Sequence, residues 1–251
     1  MKEKLVRADE LVDRLKLEEL VTLPTLTREE LAITGSLEAS PLRDASEITY
    51  WDGLGPEAKK AAGAAALRSL GARRLIDLMQ HAVADSGGNV ELHPAAELGL
   101  ILAARRQPSY ILVGSEPQRG LFGFVRLYGV IDERRRVNIV LLERTSGSGV
   151  HEFALCLPAR AAEEVSTWAC GRDPLEASDK GETLVRTIEI IRPGEAGPSR
   201  NRLAIFVGRE STVLSEFEDQ GEIASQVPIT VKDLRERLGS MLAHAGRLES
   251  G

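Results

Sequence analysis

The chain has 251 residues with a net charge of −6; 43% are hydrophobic and 28% charged, a profile that excludes a wholly disordered or fibrous chain. The acidic balance disfavours non-specific binding to nucleic acid or to a membrane surface, since both draw on a basic face. Two cysteines, Cys156 and Cys170, are too few for a disulfide framework and lack zinc-site spacing, so a reducing compartment is expected.

At the N-terminus, MKEKLVRADELVDRLKLEELV interleaves charges with leucines where a signal peptide needs an uninterrupted apolar run. No apolar stretch reaches the ~18 residues a membrane span requires. The expectation is a cytoplasmic protein. Leu5, Val12, Leu15 and Leu20 recur at helical spacing and predict one amphipathic helix over 2–21. Thr27 with Glu30 is a capping-box pattern that opens a second helix over 28–37. Pro56 at a first helical position starts a third, alanine-rich helix to Leu70, whose period continues to about Asp85 before Ser86-Gly87-Gly88. A short strand over 89–92 and a helix from Ala95 to Arg106, ended ahead of Pro108, complete the first third.

The middle changes period. SYILVGS (109–115), LFGFVRLYGVI (121–131), VNIVLLE (137–143) and VHEFALC (150–156) are β-rich runs with hairpin-length connections, which predict an antiparallel meander rather than a parallel sheet. VNIVLLE lacks outward polar positions and is expected to be covered on both faces. Pro158 opens a helix to about Trp168, closed by Gly171. Strands over 183–191 and 203–207 follow, separated by a Pro/Gly/Ser/Arg segment at 193–201 expected to be mobile, and TVLSEF (212–217) is a candidate third. Thr230 with Asp233 is a second capping-box pattern, before a last helix to Ala245. The order helix, strands, helix, strands, helix suggests two related halves, with no residue alignment between them.

No GxGxxG follows a strand, and neither GxxxxGK[ST] nor GxSxG occurs, so dinucleotide, P-loop and nucleophile-elbow chemistry lose their signatures. His81, His93, His151 and His244 are scattered without metal spacing. The nearest grouping, Glu91, His93 and Glu97, reads as a solvated strand end. His151 and Cys156, five apart in one strand, fall on opposite faces. Glu143 and Glu152 are the one carboxylate pair worth inspecting, and outward-facing sheet charges are their simpler reading. No catalytic residue, metal ligand or cofactor is assigned.

Leu100 to Arg144 holds eight arginines against four acids. Arg134, Arg135 and Arg136 form a recognition patch for an acidic partner or, more simply, a charged hairpin tip that discourages edge pairing. Leu23, Leu26 and Trp51 sit in or beside segments read as loops, around LVTLPTL and ITYWDGLGP; Trp51 either plugs the helix–sheet interface or anchors a protein partner. Lys59, Lys60 and Arg68, ahead of LGARRLI and a short strand, have the layout of a winged helix, which makes DNA-binding transcriptional regulation with a C-terminal sensor the alternative function. Alanines dominate that helix, and no side chain is placed for base edges.

LTREELAITGSL, AAGAAALRSLGARRLI, VELHPAAELGLILAARRQPS, FVRLYGVID, VNIVLLER and PARAAEEVSTWA together give an order that resembles the chaperones associated with ESX (type VII) secretion in actinobacteria, over about residues 20–170. That resemblance implies a cytosolic α/β protein with a helix-flanked antiparallel sheet, which binds a hydrophobic surface on a secreted partner and keeps it soluble. It carries over no functional residue. The expectation is therefore an α+β fold with an antiparallel meander flanked by helices, possible as two related halves. The whole 1–251 is expected to form a single domain, with a helical part at 1–106, a meander plus helix at 107–170 and a second strand set plus helix at 182–245. Its expected role is a non-enzymatic protein-binding chaperone or adaptor, with oligomeric state open.

Overall fold

A computed structural model describes residues 2–35, 45–77, 93–119, 121–132, 137–146, 149–171, 183–192, 198–209, 211–217 and 223–245. In chain order they form α1 (Lys2–Glu18), β1 (Leu20–Thr22), β2 (Leu26–Thr27), α2 (Arg28–Ile33), α3 (Ala45–Gly53), α4 (Pro56–Ala72), β3 (Ile76–Asp77), β4 (His93–Pro94) and α5 (Ala96–Arg106). Then come β5 (Tyr110–Glu116), a 3₁₀ turn (Pro117–Arg119), β6 (Leu121–Asp132), β7 (Val137–Thr145), β8 (Val150–Cys156) and α6 (Pro158–Cys170). The last elements are β9 (Leu184–Arg192), β10 (Ser199–Val207), β11 (Thr212–Phe217), β12 (Ile223–Pro228) and α7 (Val231–Ala245). The class is α+β with an antiparallel sheet, as expected. The chain divides into two compact units, Met1–Gln107 with Ser146–Phe153, and Pro108–Thr145 with Ala154–Gly251.

In the first unit α1 buries Leu11, Val12 and Leu15. The capping box at α2 is present: Glu30 N–H donates to Thr27 Oγ1 (3.3 Å) and Thr27 N–H donates to Glu30 Oε2 (3.0 Å). Arg73 reaches Glu30 Oε1 at 2.5 Å and the Thr25 carbonyl at 2.7 Å, which ties α4 to the start of α2. The segment read as an apolar loop is instead two short strands. Leu26 pairs with His151 and Thr27 with Val150, Leu23 N–H donates to Phe153 C=O (2.9 Å), and Arg28 N–H donates to Gly149 C=O (3.1 Å). Leu23 and Leu26 are consequently buried and offer no patch; pairing distant in sequence overrides a local pattern that reads as a loop. Helix α4 stops at Ala72 and does not continue to Asp85: Arg74 adopts φ 57°, and the chain turns into β3, which pairs with β4. The strand expected at 89–92 and the glycine turn before it lie outside the described residues.

In the second unit the hydrogen-bonded strand order is β7-β6-β5-β9-β10-β11-β12, antiparallel throughout. Alternation sorts its side chains. Tyr110, Leu112, Val125, Leu127, Val140, Leu142, Ile188, Ile190, Leu203, Ile205 and Leu214 share one face and pack under α6 and α7 in a single core. Helix α6 supplies Ala161, Val165 and Ala169 to that core, and α7 supplies Leu234, Leu238 and Leu242, each set repeating every fourth residue. β7 is buried continuously from Ile139 to Glu143, as its unbroken apolar run demands. Two elements differ from expectation: β10 begins at Ser199, inside the segment expected to be mobile, and β12 was not foreseen.

The chain order of this half is a repeat. β5 to β8 followed by α6, and β9 to β12 followed by α7, each give four strands and a helix. A numbering shift of 76, which carries Ile111 onto Thr187, lays β5, β6 and β7 over β9, β10 and β11. A shift of 73 lays β8 over β12 and brings Ala161, Val165 and Ala169 onto Leu234, Leu238 and Leu242. The first strands of the two repeats, β5 and β9, pair antiparallel. The suggested pair of related halves is thus a property of the strand order, with large side chains in the second helix where the first has small ones. Among the described residues no helix is long and apolar enough to cross a membrane.

Candidate functional site

Two buried charge clusters in the second unit are paired internally. Glu143 on β7 is fully buried and accepts from Arg126 Nη1 (3.2 Å) and Tyr128 Oη (2.8 Å) on β6, because the register places Arg126 directly opposite Glu143. Glu152 is exposed. The two carboxylates singled out from sequence therefore sit in opposite surroundings, one inside a neutralised triad and one in solvent. Arg186 on β9 is a second buried cation: its Nε meets Glu116 at 3.1 Å, its Nη1 donates to the Trp168 and Gly171 carbonyls, and its guanidinium lies 5.4 Å from the Trp168 ring centroid. A cation at those carbonyls suits the negative end of α6. Burial pushes the Cys156 thiol up to about 12, which keeps it protonated and poorly nucleophilic.

Of the eight arginines at 100–144, two are buried and two more are engaged by partners within the fold. Arg105 and Arg126 are buried, Arg106 donates to the Thr34 carbonyl at 2.8 Å, and Arg144 pairs with Glu164. Arg134, Arg135 and Arg136 lie outside the described residues, as do Glu91 and His81. Among the described residues no three or more His, Cys, Asp or Glu side chains come together in a grouping that could hold a metal ion.

Trp51 is not in a loop. Helix α3 presents Tyr50 and Trp51 side by side, Tyr50 exposed at 37% and Trp51 half-buried. Each ring carries a cation on its face. The Arg28 guanidinium stands 4.3 Å from the Tyr50 centroid and the Lys59 ammonium 6.0 Å from that of Trp51. Two acids complete the patch, with Tyr50 Oη donating to Glu29 (2.8 Å) and Lys59 pairing with Asp52 (3.3 Å). Burial raises Glu29, but hydrogen bonds from backbone, Tyr50 and Thr27 outweigh it and hold the carboxyl below its ordinary value. Of the residues named for the DNA alternative, Lys59 is thus engaged by Asp52 and Trp51, while Lys60 and Arg68 are exposed on α4. Tyr50, Arg28 and Glu29 were missed in the sequence, where only the local signal of adjacent aromatics could have raised them.

A cleft of about 550 Å³ in the second unit is lined by Leu203, Glu216, Phe217, Arg237, Ser240 and Met241, among others. Arg237 of α7 pairs there with Glu216 of β11, which also accepts from Ser225 Oγ at 3.3 Å. Beyond this cleft β12 is the sheet's last strand, and Val227 on it is 42% exposed. Compared with known proteins, the chain matches no family model and no curated protein.

Proposed function

We propose that this chain is a non-enzymatic protein-binding adaptor or chaperone of the cytoplasm, which holds a partner destined for secretion in soluble form. The observation that carries the reading is the Tyr50–Trp51 pair on α3, two large amphipathic side chains at the surface with Arg28 and Lys59 against their rings. Tyr, Trp and Arg are the residues that concentrate binding energy in protein interfaces; Tyr and Trp cover a large area at low conformational cost, and Arg adds charge and several donors. The likeness in layout to the ESX-associated chaperones supplies the direction, since those proteins bind hydrophobic surfaces of secreted partners.

The test is affinity capture from native lysate by the tagged chain, beside a Tyr50→Ala/Trp51→Ala double variant whose fold is checked by circular dichroism. The expected outcome is a stoichiometric protein partner whose Kd rises at least ~30-fold in the double variant, the equivalent of about 2 kcal/mol. Recovery of no partner by the wild-type chain overturns the reading.

A further inference from the structure

The repeat in the second half compares two strands whose surroundings are known. In the first repeat the outer side of β8 is occupied by the chain's own extended segment Leu20–Thr27, through β1 and β2. The corresponding strand of the second repeat, β12, ends the sheet with nothing paired beyond it among the described residues. The shift of 73 brings Phe153, whose carbonyl accepts from Leu23 N–H, onto Gln226.

The ladder phase of β12 agrees independently. Ile229 N–H donates to Thr212 C=O at 2.9 Å, and hydrogen-bonded pairs alternate along an antiparallel ladder. Val213 with Pro228 and Ser215 with Gln226 are therefore the non-bonded pairs, so Gln226 turns its N–H and C=O away from β11. Pro228 stands at such an outward position, where its missing N–H costs the sheet nothing. Edge strands are guarded by charge, proline, bulges or shortness; IASQVP carries no charge, so its guards are Pro228 and the irregularity on β11, one at each end. The irregularity at Glu216/Phe217 and Pro228 limit the open stretch to Ser225–Val227, the length of β1, which the equivalent edge accepts.

We infer that the β12 edge, at Ser225–Val227, receives an extended, uncharged segment of a protein partner as an added antiparallel strand, in the way β8 receives Leu20–Thr27. Main-chain bonds to Gln226 supply the attachment, and a branched apolar side chain covers Val227. This rests on the reading of the chain as a protein-binding module but uses a surface separate from Tyr50 and Trp51.

The probe is the synthetic peptide LVTLPTLT, the chain's own strand-forming segment, titrated into the ¹⁵N-labelled full chain. Saturable shifts at the Ser225, Gln226 and Val227 amides are expected, with Kd raised at least tenfold by Gln226→Pro and by Val227→Lys. Val227 is exposed enough for lysine to be accommodated even if Gln226→Pro fails to fold. The Tyr50→Ala/Trp51→Ala chain should bind the peptide unchanged, so failure of partner capture through those rings leaves this result standing. Absence of saturable binding, shifts confined to other strands, or indifference to Val227→Lys overturns the inference. A dimer in sedimentation that Val227→Lys dissolves also overturns it, by assigning the edge to a second copy.

Discussion

Tyr110 and Gly129 are direct cross-strand partners on β5 and β6, and the Tyr110 ring lies over the space that a side chain at 129 would fill. The ring is fully buried, and burial pushes its phenol well up despite the facing Asn138 amide. Gly114 makes the same concession to Trp168, whose Cζ3 is 2.7 Å from where a Cβ would stand. In a protein with few aromatics, glycine on the sheet makes room for the large rings of Tyr110 and Trp168. Gly129→Ala should therefore destabilise the fold by about 1–3 kcal/mol, the cost of overpacking a filled core, measured as a lower midpoint in urea. Gly53→Ala is the control, because nothing lies within 4 Å of its new methyl group; its midpoint should move little. Equal midpoints for the two variants would refute the packing account.

At the scale of elements, what could be read in the sequence was whatever depends on neighbours three or four residues away. Both capping boxes are present, Thr27 with Glu30 and Thr230 with Asp233, because side chain and orphan amide lie within one turn. The strands of the meander were legible from β-branched runs. By contrast β12 follows its partner β11 directly, but its IASQVP mixes small and polar residues and ends in proline, which hides a strand. β1 and β2 are three and two residues long, too short for a periodic signal and fixed by a partner distant in sequence. The same limit hid the aromatic patch: α3 places Arg28 on Tyr50 across residues that no spacing rule connects. The second capping box makes a pH prediction. Hydrogen bonds from Thr230, side chain first and backbone second, hold Asp233 below its ordinary 3.8. A depressed folded pKa stabilises the fold above the unfolded value and loses that contribution as pH falls through the folded one. Thermal melts of the wild type and Asp233→Asn should thus differ near neutral pH and converge as pH falls from the unfolded value of ~3.9 through the lower folded one. A gap that stays constant down to pH 2 would show that the carboxylate charge plays no part.

For the whole molecule, the chain path decides what can be separated. It crosses between the two units after Gln107, after Thr145 and again after Phe153, so β8 begins in one unit and ends in the other. The first unit needs the residues 146–153 that the meander hands to it, since Leu26 and Thr27 pair with His151 and Val150, and Leu23 and Arg28 donate to Phe153 and Gly149. Backbone bonds of about 1 kcal/mol each, with Leu23 and Leu26 at about 1.5–3 kcal/mol apiece for burial, amount to a large share of the 5–15 kcal/mol typical of a domain. A fragment 1–107 should therefore lose cooperative unfolding, seen as a broad, sloping melt by circular dichroism at 222 nm, although it keeps α1 to α5 in sequence. A chain in which 146–153 is joined to 1–107 by a flexible Gly/Ser linker should recover a sigmoidal transition, because the missing strand is restored without the meander. If 1–107 alone melts as sharply as the linked chain, β8 contributes nothing essential to the first unit, and its pairing with Leu26 and Thr27 is an ornament of the sheet rather than a support for that unit.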